Sequence, residues 1–286
     1  MLSSKSNSDG FDLRALAIQR TILTVKGMIR NVTSPFTPKT LSFLRALKRN
    51  NRREWFQPRK EDYQTHVHAP MVTLLERLAG DLRTFAPELI ADPKISLFRV
   101  YRDTRFSSDK TPYKTHVAAR FPLRGVPKGE GAGLYFEIAP GWVWMGGGMY
   151  MPTTADLHDI RAQIAATHPR GLHKVVTAPA FKRAVGELTG DRLTRVPLGY
   201  SKDHPASHYL QFKQFLGACE YEASLATSRR FYSELLKVFK AVAPLVQFLN
   251  GAIEPRLTQA PLLVSEAPPR SPRQTAALPP VPEPMW

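Results

Sequence analysis

One stretch, residues 133–145, restricts the fold more than any other part of the sequence. Its apolar residues alternate with Tyr135 and Glu137, which is the period-two pattern of a strand with one buried face. A Pro140-Gly141 pair then favours a turn, and the segment Trp142–Met145 is rich in residues typical of a returning strand. Two strands joined by a short connection pair antiparallel. The sequence therefore predicts an antiparallel sheet.

Apolar residues recur at helical spacing in the segments that precede and follow this predicted sheet in the chain. Thr37-Pro38 is a helix start, with Thr at the N-cap and Pro at the first helical position. A second helical series begins near Tyr63 and is predicted to stop at Gly80. After the sheet, the predicted helices cover residues 153–168, 179–188 and 228–250. Gly251 is predicted to end the last of them. The predicted fold class is α+β, with N-terminal helices, a central antiparallel sheet and further helices packed after it.

Three segments are expected along the chain. Residues 1–35 form an N-terminal extension that is Ser-rich at first, and residues 36–251 form a single α+β domain. Residues 252–286 form a tail in which nine prolines fall between Glu254 and Trp286. Such a density of proline is typical of disordered or polyproline segments.

The net charge and the cysteine content narrow the classes of binding partner and the cellular compartment that we expect. The chain of 286 residues carries a formal net charge of +16, which favours nucleic acid, a phosphorylated small molecule or an anionic surface as partner. The single cysteine, Cys219, excludes an intramolecular disulfide and a multi-cysteine zinc site. A reducing, cytoplasmic location is the simplest inference. No run of eighteen apolar residues occurs, so no membrane span is expected. The sequence does not identify a cofactor.

Residues 99–115 form the most charged segment of the chain. Strands are predicted on either side of it, at 95–101 and 113–121, and two more at 211–216 and 218–224. The predicted ligand-binding residues of the segment are Arg102, Asp103, Arg105, Asp109, Lys110 and Lys114. The cations would hold an anion and the two aspartates would orient them, because a guanidinium matches carboxylate or phosphate oxygens. The alternative is a bracing lattice of Arg102–Asp109 and Arg105–Asp103 pairs.

A glycine run offers a second anion site. Gly147, Gly148 and Tyr150 follow the returning strand and precede a predicted helix whose N-cap is Thr153 or Thr154. Glycine-rich backbone that leads into a helix N-terminus binds anions through free N–H groups. The alternative is that the glycines permit close backbone packing.

Four residues are candidates for acid–base chemistry by residue type alone: His116, Glu137, Asp203 and His204. Asp203 and His204, with His208 after them, also have the side chains of a metal site, but no third strong ligand has the right spacing. The alternative is that Asp203 caps a helix started by Pro205. We predict no metal site.

A second basic segment, residues 45–60, surrounds Trp55 and Phe56 with arginines and lysines. Aromatic side chains stack bases while cations follow phosphates, so this composition is consistent with nucleic-acid binding. The alternative is a solvated helix face with both aromatic residues in the core, which is the commoner place for tryptophan.

The chain also resembles a known family. The resembling motifs are Asn50 to Phe56 with Lys60 and Tyr63, Arg102 to Thr115, Gly146 to Gly148 with Tyr150 and Pro152, and Pro197 to Pro205. Together they resemble the bacterial and fungal domain-of-unknown-function family numbered twenty-four sixty-one, over roughly residues 36–250. The resemblance implies a single domain and brings no activity with it.

Three functions remain open from the sequence. The first is binding of an anionic, phosphate-bearing ligand through the loop at 99–115, with or without catalysis. The second is a nucleic-acid-binding module built on the segments 45–60 and 99–120. The third is a non-enzymatic interaction protein that docks through its proline-rich tail. The first two need the same cations, so no sequence feature separates them.

Overall fold

A computed structural model describes residues 34–126 and 129–259. The predicted extension, apart from its last two residues, and most of the predicted tail lie outside this part of the chain. The fold is α+β, as predicted: one four-stranded antiparallel sheet with helices before and after it.

A nearly continuous helical run precedes the sheet. Its elements are α1 (Pro38–Arg49), α2 (Arg53–Phe56), a 3₁₀ turn (Gln57–Arg59), α3 (Lys60–Tyr63), a π-helical turn (Gln64–His68) and α4 (Ala69–Phe85). The predicted start at Thr37 is confirmed: Thr37 is the N-cap of α1, and its backbone N–H donates to the Thr40 hydroxyl at 3.2 Å. The predicted stop at Gly80 is wrong. Leu78 and Leu82 on either side of it are buried, so packing outweighs the small cost of a glycine inside a helix.

The sheet has the order β1-β2-β3-β4 and every neighbouring pair is antiparallel. Its strands are β1 (Val117–Phe121), β2 (Gly133–Ile138), β3 (Trp142–Met149) and β4 (Phe215–Glu222). The hairpin of β2 and β3 is the one predicted from the alternating pattern. The two strands predicted within 211–224 are instead the single strand β4. The strand predicted over 113–121 begins only at Val117.

The strand predicted over residues 95–101 is wrong. Its first residues belong to a short helix, α5 (Pro93–Ser96), and the remainder makes two isolated bridges, Leu97–Ala119 and Tyr101–Tyr113. The Asp92 side chain accepts a hydrogen bond from the backbone N–H of Lys94 at 2.8 Å. This cap and the proline at the first helical position favour a helical turn over the β propensity of the residues that follow.

One face of the sheet is buried against the last helix, α10 (Phe231–Gln259). The buried side chains on this face include Val117, Ala119, Phe121, Leu134, Phe136, Ile138, Val143 and Met145. Phe121 and Phe136 both lie against Phe239 of α10, with ring centroids 5.4 Å and 6.4 Å apart. Successive residues of a strand point to opposite faces. Arg120, Tyr135, Glu137 and Trp144 therefore share the other face.

Helices α6 (Thr154–Thr167), α7 (Leu172–Thr177), α8 (Pro179–Val185) and α9 (Ser207–Leu210) lie between the third and fourth strands in the chain. The helix predicted at 153–168 is confirmed, with Thr153 as its N-cap and Asp156 completing a capping box. The predicted end of the last helix at Gly251 is wrong. Helix α10 continues to Gln259 through Pro244 and Pro255, and Arg256 pairs with Asp156 and Asp159 of α6.

Part of α10 is the one helix among the described residues that is long and apolar enough to cross a membrane. It covers Phe231–Leu257, with a mean hydropathy of 1.3 over the most apolar window, and 56% of that window is buried in the domain. A core helix shows the same burial, so the part of the chain that the structure describes has no clear membrane span.

Candidate functional site

A cavity of about 400 Å³ lies on the face of the sheet that α10 leaves uncovered. Its lining includes Arg120, Tyr135, Glu137 and Trp144 from the sheet. Further lining residues come from the segments that flank the sheet: Phe98 and His116 before β1, Glu130 and Gly131 before β2, and Tyr150, Met151, Thr153 and Asp156 after β3. The volume is at the lower end of the range of about 300–1,000 Å³ that small-molecule sites occupy.

Three aromatic rings form one wall of the cavity. Tyr135 is the middle ring, with centroids 6.2 Å from Phe98 and 5.5 Å from Trp144, and both contacts are edge-to-face. Phe98 is 38% exposed, and the other two side chains are half-buried. Edge-to-face contacts are a favoured geometry for aromatic pairs, so the wall is preformed.

A buried carboxylate lies beside these rings. Glu137 is 6% exposed and accepts hydrogen bonds from the Tyr135 hydroxyl at 2.6 Å and the Trp142 indole N–H at 2.9 Å. Burial, and then the negative charge of Glu137, raise the pKa of Tyr135 well above its usual value. Tyr135 therefore stays protonated and donates to the carboxylate.

His116 faces the same carboxylate. Its Nε2 atom is 3.7 Å from Oε2 of Glu137, so two of the four acid–base candidates lie together in the cavity. Burial lowers the pKa of His116, although the nearby Glu137 acts in the opposite direction. A neutral imidazole next to a fixed carboxylate is able to accept a proton.

Arg120 is the cation of the cavity. Its Nη2 group donates to the backbone carbonyl oxygens of Glu130 and Gly131, at 3.0 and 2.7 Å. Burial lowers the pKa of this guanidinium. Within residues 34–126 and 129–259, no carboxylate lies at ion-pair distance from Arg120. The two carbonyl oxygens satisfy hydrogen-bond donors but supply no full negative charge.

Gly147 and Gly148 are part of strand β3, which corrects the prediction that they follow it. Gly147 and Gly148 pair with Gly217 and Leu216 of β4 and line the cavity, as does Tyr150. Gly148 has φ +134°, and a Cβ atom there would be 1.9 Å from the carbonyl oxygen of Phe215. Close backbone packing, the alternative interpretation, explains this glycine.

The charged loop at 99–115 forms both pairs of the bracing alternative. Arg102 pairs with Asp109, and Arg105 pairs with Asp103 at 2.7 Å. A hydrogen bond from Arg105 holds the pKa of Asp103 at about 2. The backbone N–H of Thr111 and then Arg102 hold the pKa of Asp109 at about 2. These four residues are all outside the lining of the cavity.

The two lysines of the loop are also engaged and do not line the cavity. Lys110 donates to the carbonyl oxygen of Thr104 at 2.9 Å, and the Nζ atom of Lys114 lies 4.6 Å from the centre of the Phe98 ring. Burial, and then the charge of Arg99, lower the pKa of Lys114. At the loop tip, Phe106 is 87% exposed.

Asp203 and His204 lie apart from the cavity, in a turn before α9. His204 Nδ1 accepts the backbone N–H of Ala206 at 3.0 Å, and Ala206 is the N-cap of α9. The alternative in which Asp203 caps a helix started by Pro205 is therefore wrong. In the described part of the chain, no three His, Cys, Asp or Glu side chains are placed to hold a metal ion.

Of the two aromatic residues in the second basic segment, Phe56 is in the core and Trp55 is half-buried against it. Phe56 is 1% exposed and stacks on Tyr113 with ring centroids 4.1 Å apart. Trp55 packs against Phe43 at 5.7 Å, and Arg59 covers the Trp55 ring. These contacts fit the solvated-face alternative, in which both aromatic side chains pack against the core. Nucleic-acid binding by this segment stays a prediction.

Sequence reasoning missed Arg120, Tyr135, Trp144 and Phe98 as site residues. The alternation in β2 already placed Tyr135 on the same face as Glu137. The position of Arg120 depends on the pairing Arg120–Tyr135 between β1 and β2, which no local pattern provides.

A family model described as "Conserved hypothetical protein (DUF2461)" matches residues 39–248. Since this match covers most of the chain, the protein belongs to that family. No curated protein and no solved structure matches the chain.

Proposed function

We propose that the protein binds a small anionic ligand in the cavity on the open face of the sheet, with Arg120 holding the anionic group. The observation that carries the proposal is the guanidinium of Arg120, which is partly withdrawn from water beside a cavity and has no carboxylate at ion-pair distance in residues 34–126 and 129–259.

A cation in that position favours an anion for a simple electrostatic reason. Removing a charge from water costs free energy, and an opposite charge nearby offsets the cost. Arginine retains its charge in folded proteins and presents donors that match a carboxylate or phosphate. An anionic ligand would therefore compensate a charge that the described residues leave without a carboxylate.

The charged loop lies outside the cavity but helps to position residues that line it. It connects Phe98 to His116, so the braced segment positions two residues that line the cavity. Direct anion binding by Arg102, Arg105, Lys110 and Lys114 stays a prediction, as does a cytoplasmic location.

Thermal shift of the full chain tests the proposal. Aryl carboxylates, mononucleotides and sugar phosphates would each be added to the protein and to two variants, Arg120→Gln and Arg105→Ala. We expect at least one compound to raise the melting temperature, since a ligand at 100 times its Kd stabilises the folded state by about 2.7 kcal/mol. The shift should vanish in Arg120→Gln and persist in Arg105→Ala.

Arg120→Lys separates binding from folding, because it keeps the charge while losing the forked geometry. Partial recovery of the shift in Arg120→Lys would support a charge-dependent site. A shift of equal size in the native protein and in Arg120→Gln would overturn the proposal, and so would no shift with any compound.

A second candidate function is binding of single-stranded nucleic acid at the loop tip. Phe106 is 87% exposed, and the Arg105 guanidinium lies 5.6 Å from its ring centre. An exposed ring beside a cation is a platform for a base and its phosphate. Fluorescence anisotropy with a labelled oligonucleotide should then show an affinity that falls steeply with salt and is weakened in Phe106→Ala. An affinity that changes neither with salt concentration nor in Phe106→Ala would exclude this candidate.

A further inference from the structure

We infer that the ligand is a planar aromatic acid with a single negative charge, whose ring packs on the Phe98–Tyr135–Trp144 wall while its acid group meets Arg120. This inference rests on the proposed function and assigns the chemical class of its ligand.

The number of charges in the lining favours a monoanion. Among the described residues that line the cavity, Arg120 is the single lysine or arginine, whereas Glu130, Glu137 and Asp156 are carboxylates. Asp156 already pairs with Arg256, and Glu137 is held by Tyr135 and Trp142. A ligand with two or more negative charges would meet one cation and several acids. A polyphosphate is therefore disfavoured, because like charges repel strongly at short range.

The sheet register places Arg120 and two rings of the wall on the same face of the sheet, at neighbouring strand positions. Arg120 and Tyr135 are direct partners across β1 and β2, and side chains so paired are about 5 Å apart at Cβ. Trp144 pairs with Glu137 on the next strand, and its ring contacts that of Tyr135. An acid group held by Arg120 would lie at the Glu130–Gly131 end of the cavity, and a ring attached to it would extend along the cavity toward this wall.

The chemistry of the wall favours an aromatic ring over an aliphatic chain. Aromatic pairs gain stabilisation beyond the area that they bury, and three rings are available here. A long acyl chain would need an extended apolar channel, and the cavity volume of about 400 Å³ suits a compact ligand.

A matched pair of acids tests the inference. Calorimetric titration of the full chain would compare naphthoate with decahydronaphthoate, which has the same carboxylate and a saturated ring system. Naphthamide, which is neutral, and naphthyl phosphate, which reaches two negative charges, complete the series. We expect naphthoate to bind about tenfold more tightly than its saturated analogue, a difference equal to one or two aromatic contacts. Naphthamide and naphthyl phosphate should both bind more weakly than naphthoate.

Two variants identify the groups responsible. Trp144→Leu should remove most of the preference for naphthoate over decahydronaphthoate, while Arg120→Gln should weaken both acids. Trp55→Leu is the matched control, because it also removes a tryptophan but lies outside the cavity lining. It should leave the preference unchanged.

The outcomes separate this inference from the proposed function. Equal binding of the two acids that still depends on Arg120 would overturn the aromatic class and leave the anion site standing. If neither acid binds but another anion raises the melting temperature of the native protein and not of Arg120→Gln, the aromatic class is again overturned and the anion site stands. If no anion binds through Arg120, both proposals fall.

Discussion

The charged loop and the cavity differ in how Arg102 and Arg105 on one side, and Arg120 on the other, are balanced. In the loop, Arg102 pairs with an aspartate seven residues away and Arg105 with one two residues away. In the cavity, Arg120 meets two carbonyl oxygens. The loop has more charge, but its Arg102 and Arg105 are balanced by its own aspartates, whereas Arg120 has no carboxylate at ion-pair distance among the described residues. A dense cluster of charges is thus a poor guide to a binding site when the cluster contains its own counterions.

The largest expected effect is at the backbone of the cavity, where β3 and β4 approach each other most closely. Gly148→Ala would place a Cβ atom against the Phe215 carbonyl oxygen in a left-handed backbone conformation, which we expect to cost about 3 kcal/mol or more. Urea unfolding of the full chain measures this loss. Gly141→Ala is the control, because no atom lies within 4 Å of the position that its added methyl group would take, and it should change stability by less than about 0.5 kcal/mol. Similar losses in both variants would contradict the close packing of β3 and β4.

Removing a carboxylate should matter more in the cavity than in the loop. Glu137→Ala leaves the Tyr135 hydroxyl and the Trp142 indole N–H without their acceptor, and we expect a loss of about 2–4 kcal/mol. Asp109→Ala removes an acid whose side chain is 42% exposed, and its effect should be much smaller. Urea unfolding compares the two variants, and an equal loss in both would mean that the loop brace is as important for stability as the buried carboxylate.

Acid should affect the two regions in different pH windows. The folded-state pKa of His116 is below the ordinary value of 6.5, so the unfolded chain binds more protons there and stability falls as the pH drops below about 6.5. Asp103 and Asp109 have folded-state pKa values of about 2, below their ordinary 3.8. Their contribution is present above pH 3.8 and is lost as the pH falls through about 2.

Unfolding measurements at about pH 7, 6 and 5 would detect the first window. His116→Gln should show a weaker pH dependence than the native protein between these values. His208 also has a lowered pKa, caused first by burial and then by the charge of Arg192, so a residual slope should remain. An unchanged slope in His116→Gln would show that His116 does not contribute.

The smallest expected effect is that of Arg105→Ala. The Arg105 side chain is 76% exposed and bonded to a neighbour two residues away, so we expect almost no change in melting temperature. A clear loss of stability would show that the loop contributes more to folding than its exposure indicates. The variant Asp103→Ala should behave in the same way and serves as the partner control.

Local patterns were enough for part of this fold. The alternation in residues 133–138 identified β2 and placed Glu137 and Tyr135 together, and Thr153 marked the start of α6. Each of these signals lies within a few residues of the element that it predicts. The strand predicted at 95–101 failed because Asp92 and Pro93, just before it, form a helix cap. The aromatic content of the segment was a weaker signal than that cap.

The candidate site was harder to predict because it is assembled across strands. Arg120 meets the aromatic wall only through the register of β1 on β2, and register is set by long-range packing. The glycine run was also misleading. Its residues lie in β3 and are glycines because the backbone of β4 is too close to leave room for side chains. This approach of β4 leaves no signal in the residues next to the glycines.

The ion pairs of Arg256 have a practical consequence for anyone who shortens this chain. Arg256 lies beyond residue 248, where the family match ends, yet it joins the end of α10 to Asp156 and Asp159. Asp156 in turn caps α6 and lines the cavity. A chain cut at residue 251 would lose both ion pairs of Arg256 and leave the buried Asp156 at the cavity without its cation. The smallest version suitable for ligand screening therefore extends to residue 259.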